Sequence, residues 1–337
     1  MRVGFDISQV AHRGGVATYT SELTKELIRH KEIDWVFFYS SLRKKYQGEL
    51  PKVKQFKIPP TILEIIFNDL RFPIEKFIGE IDIYHSSDWM QPKTKAKKVT
   101  TIHDVIPLIY PEWSNPKIVK IHKKRLKLVE EDIDMVIAVS NSTKKDLLKI
   151  SKIPEEKITV IYEGVSETYK IQTEKKVSEF KNKYKLPDKF FLAIGGIGER
   201  KNIKRIKEAT QGFKLIVLGE DIPSLQVEEI PLLYSASEAL IYTTLYEGFG
   251  LPILEAMACG TPVITSNVSS MPEIAGDAAL FADPERIEDI KTKINLILRS
   301  EKKRVELIKK GLKQAEKFNW KKAAFETIDL YKALLKD

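Results

Sequence analysis

Cysteine is almost absent from this chain of 337 residues, and long uninterrupted apolar runs are absent as well. The single thiol, Cys259, can build neither a disulfide framework nor a cysteine-rich metal site. No apolar stretch approaches the roughly 20 residues that are needed to span a bilayer. Asp6 interrupts the first apolar run before a signal-peptide core could form. We therefore expect a cytoplasmic protein without disulfides.

Sequence signatures of nucleic-acid binding are missing too. Lys and Arg outnumber Asp and Glu by 56 to 47, which gives a formal net charge of +9. Such an excess can serve nucleic acid, anionic lipid or solubility alone. It comes with neither a zinc-finger spacing nor an aromatic–basic RNA-binding pattern, so we expect no nucleic-acid partner.

The sequence does contain short apolar runs that alternate with segments of helical periodicity, as is typical of parallel α/β units. The runs are continuous rather than alternating, which indicates strands buried on both faces. The predicted strands are 3–6, 35–39, 81–85, 99–102, 135–140, 158–162, 190–194, 215–218, 239–242 and 263–265. The predicted helices include 17–29, 118–130, 142–150, 285–299, 301–317 and 320–335.

A polar, lysine-rich stretch at 164–189 separates the two groups of strands. The chain length also suits two domains better than one. We place the boundary near residue 166, which predicts an N-terminal domain at 1–166 and a second domain at 167–319.

Polar and glycine residues recur where predicted strands end. His103 and Asp104 follow one strand, Gly195 and Gly196 another, and Glu247 lies just beyond a third. Ligands of open parallel sheets bind beyond the carboxyl ends of the strands. The pattern therefore predicts one binding cleft between two domains.

The densest motif runs from Glu247 to Glu255 and reads EGFGLPILE. Pro252 suits the first turn of a helix. The loop at 248–250 lets backbone approach a ligand in front of a helix N-terminus, which is a ready anion site. Taken alone, Glu255 would more often be a helix-dipole glutamate, and a glycine pair would more often be a turn.

A second glycine-rich loop covers 195–202 and reads GGIGERKN. A dinucleotide fingerprint would need a glycine where Lys201 stands, so the loop predicts no nicotinamide cofactor. Adjacent Arg200 and Lys201 would by themselves more often be solvated surface.

Two further features have a plain explanation beside the functional one. Asp132 and Asp134 mimic an Asp-x-Asp metal motif. They precede a predicted strand and so lie at its amino end, away from the predicted cleft; we interpret them as loop acids.

The helix at 116–130 is basic and amphipathic. It suits either an anionic membrane surface or water, and the sequence leaves both open. Its basic residues are Lys117, Lys120, Lys123, Lys124, Arg125 and Lys127.

Taken together, these strings resemble the retaining GT-B glycosyltransferases of family 4, also called group 1. The signature of that family is two glutamates separated by seven residues, here Glu247 and Glu255. The resemblance covers nearly the whole chain and implies two Rossmann-like parallel-sheet domains that face each other across a cleft. It also implies that the helix at 320–337 packs back on the N-terminal domain. Other family-like runs are 14–19, 101–104, 139–147, 160–165 and 266–276.

The resemblance implies a role for each candidate residue of the second domain. Glu255 would accept hydrogen bonds from the donor ribose, and Glu247 would contact the transferred sugar. The loop of Gly248, Phe249, Gly250 and Leu251 would hold sugar and phosphates through its backbone. Arg200 and Lys201 would stabilise the departing nucleotide diphosphate, so the resemblance implies neither a metal nor another cofactor.

In the first domain the resemblance singles out His103 and the glycine pair Gly14 and Gly15. His103 would hydrogen-bond the transferred sugar, with Asp104 beside it, although a lone histidine is more often structural. The glycines would let backbone approach phosphate and acceptor; the plain alternative is a loop before a helix.

The activity so implied is transfer of a hexose, with retention of anomeric configuration, from a nucleotide-diphosphate sugar. The acceptor would be a glycan, a lipid-linked molecule or a small molecule, as in polysaccharide biosynthesis. The resemblance favours mannose from GDP-mannose. If the basic helix at 116–130 does lie on anionic lipid, the protein would be peripheral at the inner membrane face. Two alternatives stay open: a nucleotide-sugar epimerase of similar fold, and a non-catalytic subunit that binds sugar nucleotides.

Overall fold

A computed structural model of the chain describes residues 1–12, 14–86, 89–196, 198–222 and 225–336. The chain divides into two compact units. Unit 1 comprises Met1–Glu163 and Trp320–Asp337, and unit 2 comprises Gly164–Asn319. Ile197 of the second glycine-rich loop lies outside the described residues.

Unit 1 is built on a parallel sheet with the strand order β3-β2-β1-β4-β5-β6-β7. The inner strands are apolar on both faces because helices cover both sides of a parallel sheet; Phe37 and Phe38 of β2, for example, are both fully buried. The strands are β1 Arg2–Asp6, β2 Asp34–Ser40, β3 Val53–Phe56, β4 Ile83–Ser86, β5 Lys97–Ile102, β6 Met135–Ala138 and β7 Ile158–Val160.

The helices of unit 1 connect these strands, and a C-terminal helix returns to the same unit. The α-helices are α1 Gly15–Leu27, α2 Pro60–Glu64, α3 Glu75–Ile78, α4 Ile106–Ile109, α5 Pro116–Asp132, α6 Asn141–Ile150 and, from the end of the chain, Trp320–Leu334. One π-helical turn spans Ile65–Asp69, and short 3-10 turns span Ser8–Ala11, Pro111–Trp113 and Glu155–Lys157.

The C-terminal helix Trp320–Leu334 packs against α1 within unit 1. The Trp320 ring lies 5.8 Å from the Tyr19 ring of α1. Tyr331, on the same helix, is fully buried. The last helix is therefore part of unit 1, although unit 2 precedes it in the sequence.

Unit 2 is built on a smaller parallel sheet with the order β12-β11-β10-β8-β9. Its strands are β8 Phe191–Ile194, β9 Leu215–Leu218, β10 Ala239–Tyr242, β11 Val263–Ser266 and β12 Leu280–Ala282. Its α-helices are α7 Glu174–Tyr184, α8 Ile203–Ala209, α9 Ile230–Ala236, α10 Leu251–Ala258, α11 Met271–Ala275, α12 Ile287–Arg299 and α13 Glu301–Ala315. The C-terminal helix of unit 1 is α14. Short 3-10 turns span Glu199–Lys201 and Val227–Glu229.

The sequence did not predict β3, β12 or α7. β3 is an edge strand whose middle residues, Lys54 and Gln55, are exposed, so it lacks an apolar run. α7 lies in the polar stretch interpreted as a break between domains. It buries a single side chain, Phe180, against the core of unit 2, so its apolar stripe is narrow.

Within the described ranges, no helix combines the length and the hydropathy that crossing a membrane requires.

Candidate active site

Unit 2 brings Arg200, Lys201 and Glu247 together in one ion-pair cluster. Glu247 Oε1 lies 2.6 Å from Arg200 Nη1 and 2.9 Å from Lys201 Nζ. Lys201 Nζ also lies 3.1 Å from the Tyr242 hydroxyl and 5.1 Å from the centre of its ring. The side chains of the three charged residues are 13% to 23% exposed, so the cluster is screened from most solvent and still reachable.

The local fold holds this cluster at the carboxyl ends of β8 and β10. Gly195 follows β8 because a Cβ there would lie 2.8 Å from the Leu218 carbonyl oxygen. The 3-10 turn with both cations then ends at Asn202, which is buried and has φ +57. The Asn202 amide donates to the carbonyl oxygens of Thr243, at 2.8 Å, and Pro284, at 2.7 Å. These bonds tie the cation-bearing turn to the neighbouring strand ends.

The two cations keep Glu247 ionised. Burial acts to raise the pKa of Glu247, but the positive charges of Lys201 and Arg200 outweigh burial and lower the pKa below its ordinary value. The opposite holds for Tyr242, because burial and the negative charge of Glu247 raise the pKa of its phenol. Tyr242 is therefore a neutral hydroxyl beside a charged cluster.

The loop from Gly248 to Leu251 leads directly from Glu247 into α10. Gly250 has φ +107, in the region that favours glycine, and precedes the first residue of α10, Leu251. The Ser270 hydroxyl oxygen lies 2.9 Å from the Glu247 carbonyl oxygen and 2.7 Å from the Phe249 carbonyl oxygen, so its one hydrogen is shared between the two. These contacts restrain the backbone between Glu247 and Phe249.

Glu255 occupies the second turn of α10 and is partly buried. The hydroxyl of buried Tyr234 donates to Glu255 Oε2 at 2.8 Å. The dipole explanation is weak here, because the favourable effect on a carboxylate fades beyond the first turn. Cys259, one turn further along, is buried. Burial and the charge of Glu255 raise the pKa of this thiol to about 12, so it is not a nucleophile near neutral pH.

His103 of unit 1 follows β5 and contacts Glu163, a residue that the sequence analysis did not single out. The His103 Nδ1 lies 2.9 Å from Glu163 Oε1, and the two side chains are 12% and 5% exposed. The Tyr19 ring meets the His103 ring edge-on, with centroids 4.5 Å apart. Asp104, the next residue, accepts from the Ile106 backbone at 3.0 Å and so helps to begin α4.

A buried polar chain runs beneath His103. The Tyr19 hydroxyl lies 2.9 Å from Thr101 Oγ1, which lies 2.8 Å from His85 Nε2. His85 Nδ1 in turn lies 2.5 Å from the Tyr331 hydroxyl on α14. Burial lowers the pKa of His85 from its ordinary 6.5 to about 3.

Gly14 and Gly15 form the exposed start of α1. Gly14 has φ +118 and precedes the helix, and Gly15 is its first residue. A Cβ at either position would meet open space within 4 Å. Steric crowding therefore does not explain glycine at either position, whereas the left-handed backbone does explain Gly14.

The interpretation of Asp132 as a loop acid is wrong, because Asp132 is the last residue of α5 and pairs with Arg71 and with the buried Lys98. Asp134 lies between α5 and β6 and pairs with Lys97. These acids thus neutralise cations of the fold at the amino ends of strands.

One basic residue of helix α5 does not belong to its exposed basic face. Arg125 is buried and donates to the Thr101 carbonyl oxygen at 2.8 Å. It stabilises the end of β5 and is no part of the exposed lysine face.

The chain matches the family model of the group 1 glycosyl transferases over residues 143–314, and that of glycosyltransferase family 4 over residues 13–169. The O-antigen chain mannosyltransferase B of Escherichia coli is 31% identical over 283 residues, which cover 75% of this chain and 74% of that protein. A serotype-specific mannosyltransferase of Escherichia coli, WbdA, is 27% identical over 303 residues, or 79% of this chain and 37% of that longer protein.

Solved structures agree with these matches at the level of the fold. A sucrose-phosphate synthase from Thermosynechococcus elongatus superposes with a TM-score of 0.76 over 99% of both chains, at 18% identity. WaaG, a glycosyltransferase involved in lipopolysaccharide biosynthesis, gives 0.73 over 98% of this chain and 99% of its own, at 14% identity. The chain therefore belongs to the group 1, family 4 glycosyltransferases and has their GT-B fold.

Proposed function

We propose that this glycosyltransferase moves a hexose from a nucleotide-diphosphate sugar to a glycan, lipid-linked or small-molecule acceptor, with retention and without a metal. The supporting observation is the cluster of two cations and one carboxylate at the carboxyl ends of β8 and β10. The favoured donor is GDP-mannose, because the E. coli relatives described above are mannosyltransferases.

The chemical demand of such a reaction is the charge that collects on the leaving diphosphate. As the bond between sugar and phosphate lengthens, the phosphate oxygens become more negative and the sugar ring becomes cationic. Arg200 and Lys201 stabilise the phosphate charge, a preorganised electrostatic effect that needs no rearrangement during the reaction. In this proposal the leaving phosphate oxygen, rather than a protein carboxylate, takes the proton of the acceptor.

The remaining candidate residues position the donor. Glu247 lies beside the transferred sugar, where its negative charge favours a cationic ring. His103 hydrogen-bonds the transferred sugar. The backbone of 248–251 holds sugar and phosphates. Glu255 accepts hydrogen bonds from the ribose hydroxyls, which makes it a residue of donor affinity. Gly14 and Gly15 let the start of α1 approach phosphate and acceptor.

A panel of nucleotide sugars tests the proposal. Purified protein is incubated with GDP-mannose and with UDP- and ADP-sugars, and slow release of each nucleotide diphosphate is measured. We expect release of GDP from GDP-mannose, faster than release from the others. Release from another donor alone would overturn the choice of mannose. Conversion of the sugar without cleavage, seen by NMR of the recovered donor, would indicate an epimerase instead.

We also propose that unit 1 rests on an anionic membrane surface, such as the inner face, where anionic lipids attract lysines. Two ion pairs, Lys124 with Asp69 and Arg71 with Asp132, join the 60–72 segment to the second half of α5. The helix that carries the exposed lysines is thus joined to a segment with exposed apolar side chains. The lysines are Lys117, Lys120, Lys123 and Lys127; the apolar residues are Ile62, Ile65, Leu70 and Phe72.

Such a surface combines the two attractions that hold a protein at a bilayer interface: charge and apolar area. Each lysine near an anionic surface contributes about 1 kcal/mol, so replacing Lys117, Lys120 and Lys123 by alanine should weaken binding about hundredfold. Sedimentation with vesicles of phosphatidylglycerol and phosphatidylcholine measures the membrane binding of each variant. The matched control replaces three exposed lysines of α13: Lys302, Lys309 and Lys313. Equal binding by the two triple variants would overturn this surface.

A further inference from the structure

Glu163 is a buried acid that no step of the proposed reaction uses. It follows β7 as the last residue of unit 1 in this part of the chain and is buried. Its Oε1 lies 2.9 Å from His103 Nδ1. A buried carboxylate is costly unless it is paired and hydrogen-bonded, so its position against His103 calls for an explanation.

We propose that Glu163 is a positioning residue for His103. It holds the hydrogen of the imidazole on Nδ1, so that Nε2 is the ring nitrogen that meets the transferred sugar. The proposal rests on the sugar contact proposed for His103. Glu163 thereby fixes the direction in which Nε2 points and makes it a hydrogen-bond acceptor.

The chemistry follows from what each group can donate. A carboxylate only accepts hydrogen bonds, so the short contact with Glu163 requires a hydrogen on Nδ1. In a neutral imidazole one nitrogen donates and the other accepts, and the partner of one nitrogen decides the role of the other. With Nδ1 engaged by Glu163, Nε2 accepts a hydrogen bond from a sugar hydroxyl.

A second contact supports this orientation of the ring. The Tyr19 ring meets the His103 ring at 82°, and its hydroxyl bonds Thr101 on β5. Tyr19 thus restrains one side of the imidazole while Glu163 holds its Nδ1 edge. A flipped ring would turn a carbon toward the Glu163 carboxylate and lose the hydrogen bond.

The first test determines directly which ring nitrogen of His103 carries the hydrogen. The chain has five histidines, so protein labelled with ¹⁵N only at histidine gives a simple spectrum. The His103 signals are assigned from their loss in His103→Asn. We expect a protonated Nδ1 and an unprotonated Nε2, which have well-separated ¹⁵N shifts. An unprotonated Nδ1 in the wild-type protein would overturn the proposal, whatever any variant does.

The second test uses two variants that differ in what they offer to Nδ1. Glu163→Leu removes the acceptor, whereas Glu163→Gln keeps an acceptor oxygen. We expect kcat/KM to fall about 10–100-fold in Glu163→Leu, as for other partners that orient a site histidine, and Glu163→Gln to recover most of the loss. The exposed Glu156 supplies the control variant, Glu156→Leu. Affinity for the nucleotide diphosphate, which unit 2 residues are proposed to bind, should stay unchanged and shows that a variant is folded.

A double variant separates positioning from a merely structural role. If Glu163 acts through His103, adding Glu163→Leu to His103→Asn costs no further activity. Additive losses would overturn the proposal, as would a fully active Glu163→Leu beside an impaired His103→Asn; the function proposed for His103 would survive both. A fully active His103→Asn would instead remove the sugar contact itself. If Glu163→Leu fails to fold, Glu163→Gln and the wild-type ¹⁵N spectrum still decide.

Discussion

Glu247 pairs with both cations of the candidate site in unit 2. Two cations and one carboxylate leave a net positive charge on these three residues. A diphosphate can therefore bind Arg200 and Lys201 while Glu247 stays ionised, because the cations hold the pKa of Glu247 below its ordinary value. In the proposed reaction the same carboxylate orients the cations and offers negative charge to a sugar ring that becomes positive.

The role of Arg200 predicts a large loss of rate with little loss of stability. If Arg200 stabilises the departing diphosphate, Arg200→Ala should lower kcat by about 10²–10³-fold, as for the loss of one preorganised donor. The exposed Lys204 supplies the control, Lys204→Ala, which removes the same charge nearby. Steady-state kinetics and a melting curve measure both. Turnover within threefold of wild type in Arg200→Ala would rule out this role for Arg200.

The two glutamates of the motif should respond differently to loss of charge. A residue that holds the ribose acts equally in ground and transition states, so Glu255→Gln should raise the donor KM about tenfold and change kcat less. If Glu247 lies beside the transferred sugar, it faces a charge that develops only in the transition state, so Glu247→Gln should lower kcat more than donor affinity. Calorimetric titration with the nucleotide diphosphate separates the two. Unchanged affinity in Glu255→Gln would mean that the ribose is held elsewhere.

At the scale of elements, the polar chain through His85 joins the sheet of unit 1 to its terminal helix. Thr101 stands on β5, His85 on β4 and Tyr331 on α14. A cationic imidazole is strongly disfavoured at His85, since burial lowers its pKa to about 3. The connection between the sheet and α14 therefore depends on a neutral His85.

This connection predicts that the free energy of unfolding decreases as the pH is lowered below neutrality. Between the ordinary pKa of 6.5 and the folded value of about 3, the unfolded chain binds the proton more readily, so acid favours unfolding. The resulting loss is about 2 kcal/mol of unfolding free energy between pH 7 and pH 5. Urea unfolding of wild type and His85→Gln at both pH values measures it, because the glutamine does not titrate. His12→Gln, at an exposed histidine, should keep the full pH dependence. An equal pH dependence in His85→Gln would contradict this role for His85.

At the scale of the whole molecule, each unit carries its own parallel sheet and its own candidate residues. In the proposed function, unit 2 supplies cationic side chains and the start of α10 for the donor phosphates. In many sugar transfers a divalent cation carries out that task; here we expect Arg200 and Lys201 to do so. Transfer should therefore survive excess EDTA, measured as product formed with and without chelator. Loss of activity that Mn²⁺ restores would contradict the metal-independent reaction.

Most of the fold was predictable because buried parallel strands are continuous apolar runs. Such runs at 3–6, 35–39 and 239–242 correspond to β1, β2 and β10. The GT-B fold and the family, which the motif from Glu247 to Glu255 indicated, are confirmed by the matches to the family models. The roles of the individual site residues stay predictions. The strands that were missed are short or polar, since an edge strand need not be apolar on both faces.

By itself the sequence determined which residues are unusual for their position: a glycine pair after a strand, adjacent cations, two spaced glutamates and a histidine at a strand end. It could not determine their partners. Lys201 contacts Glu247 across 46 positions of the chain, and His103 contacts Glu163 across 60. It also could not show that Arg125 points inward while its neighbouring lysines face solvent. Contacts between distant residues depend on how strands align and helices pack, and only the tertiary structure decides that.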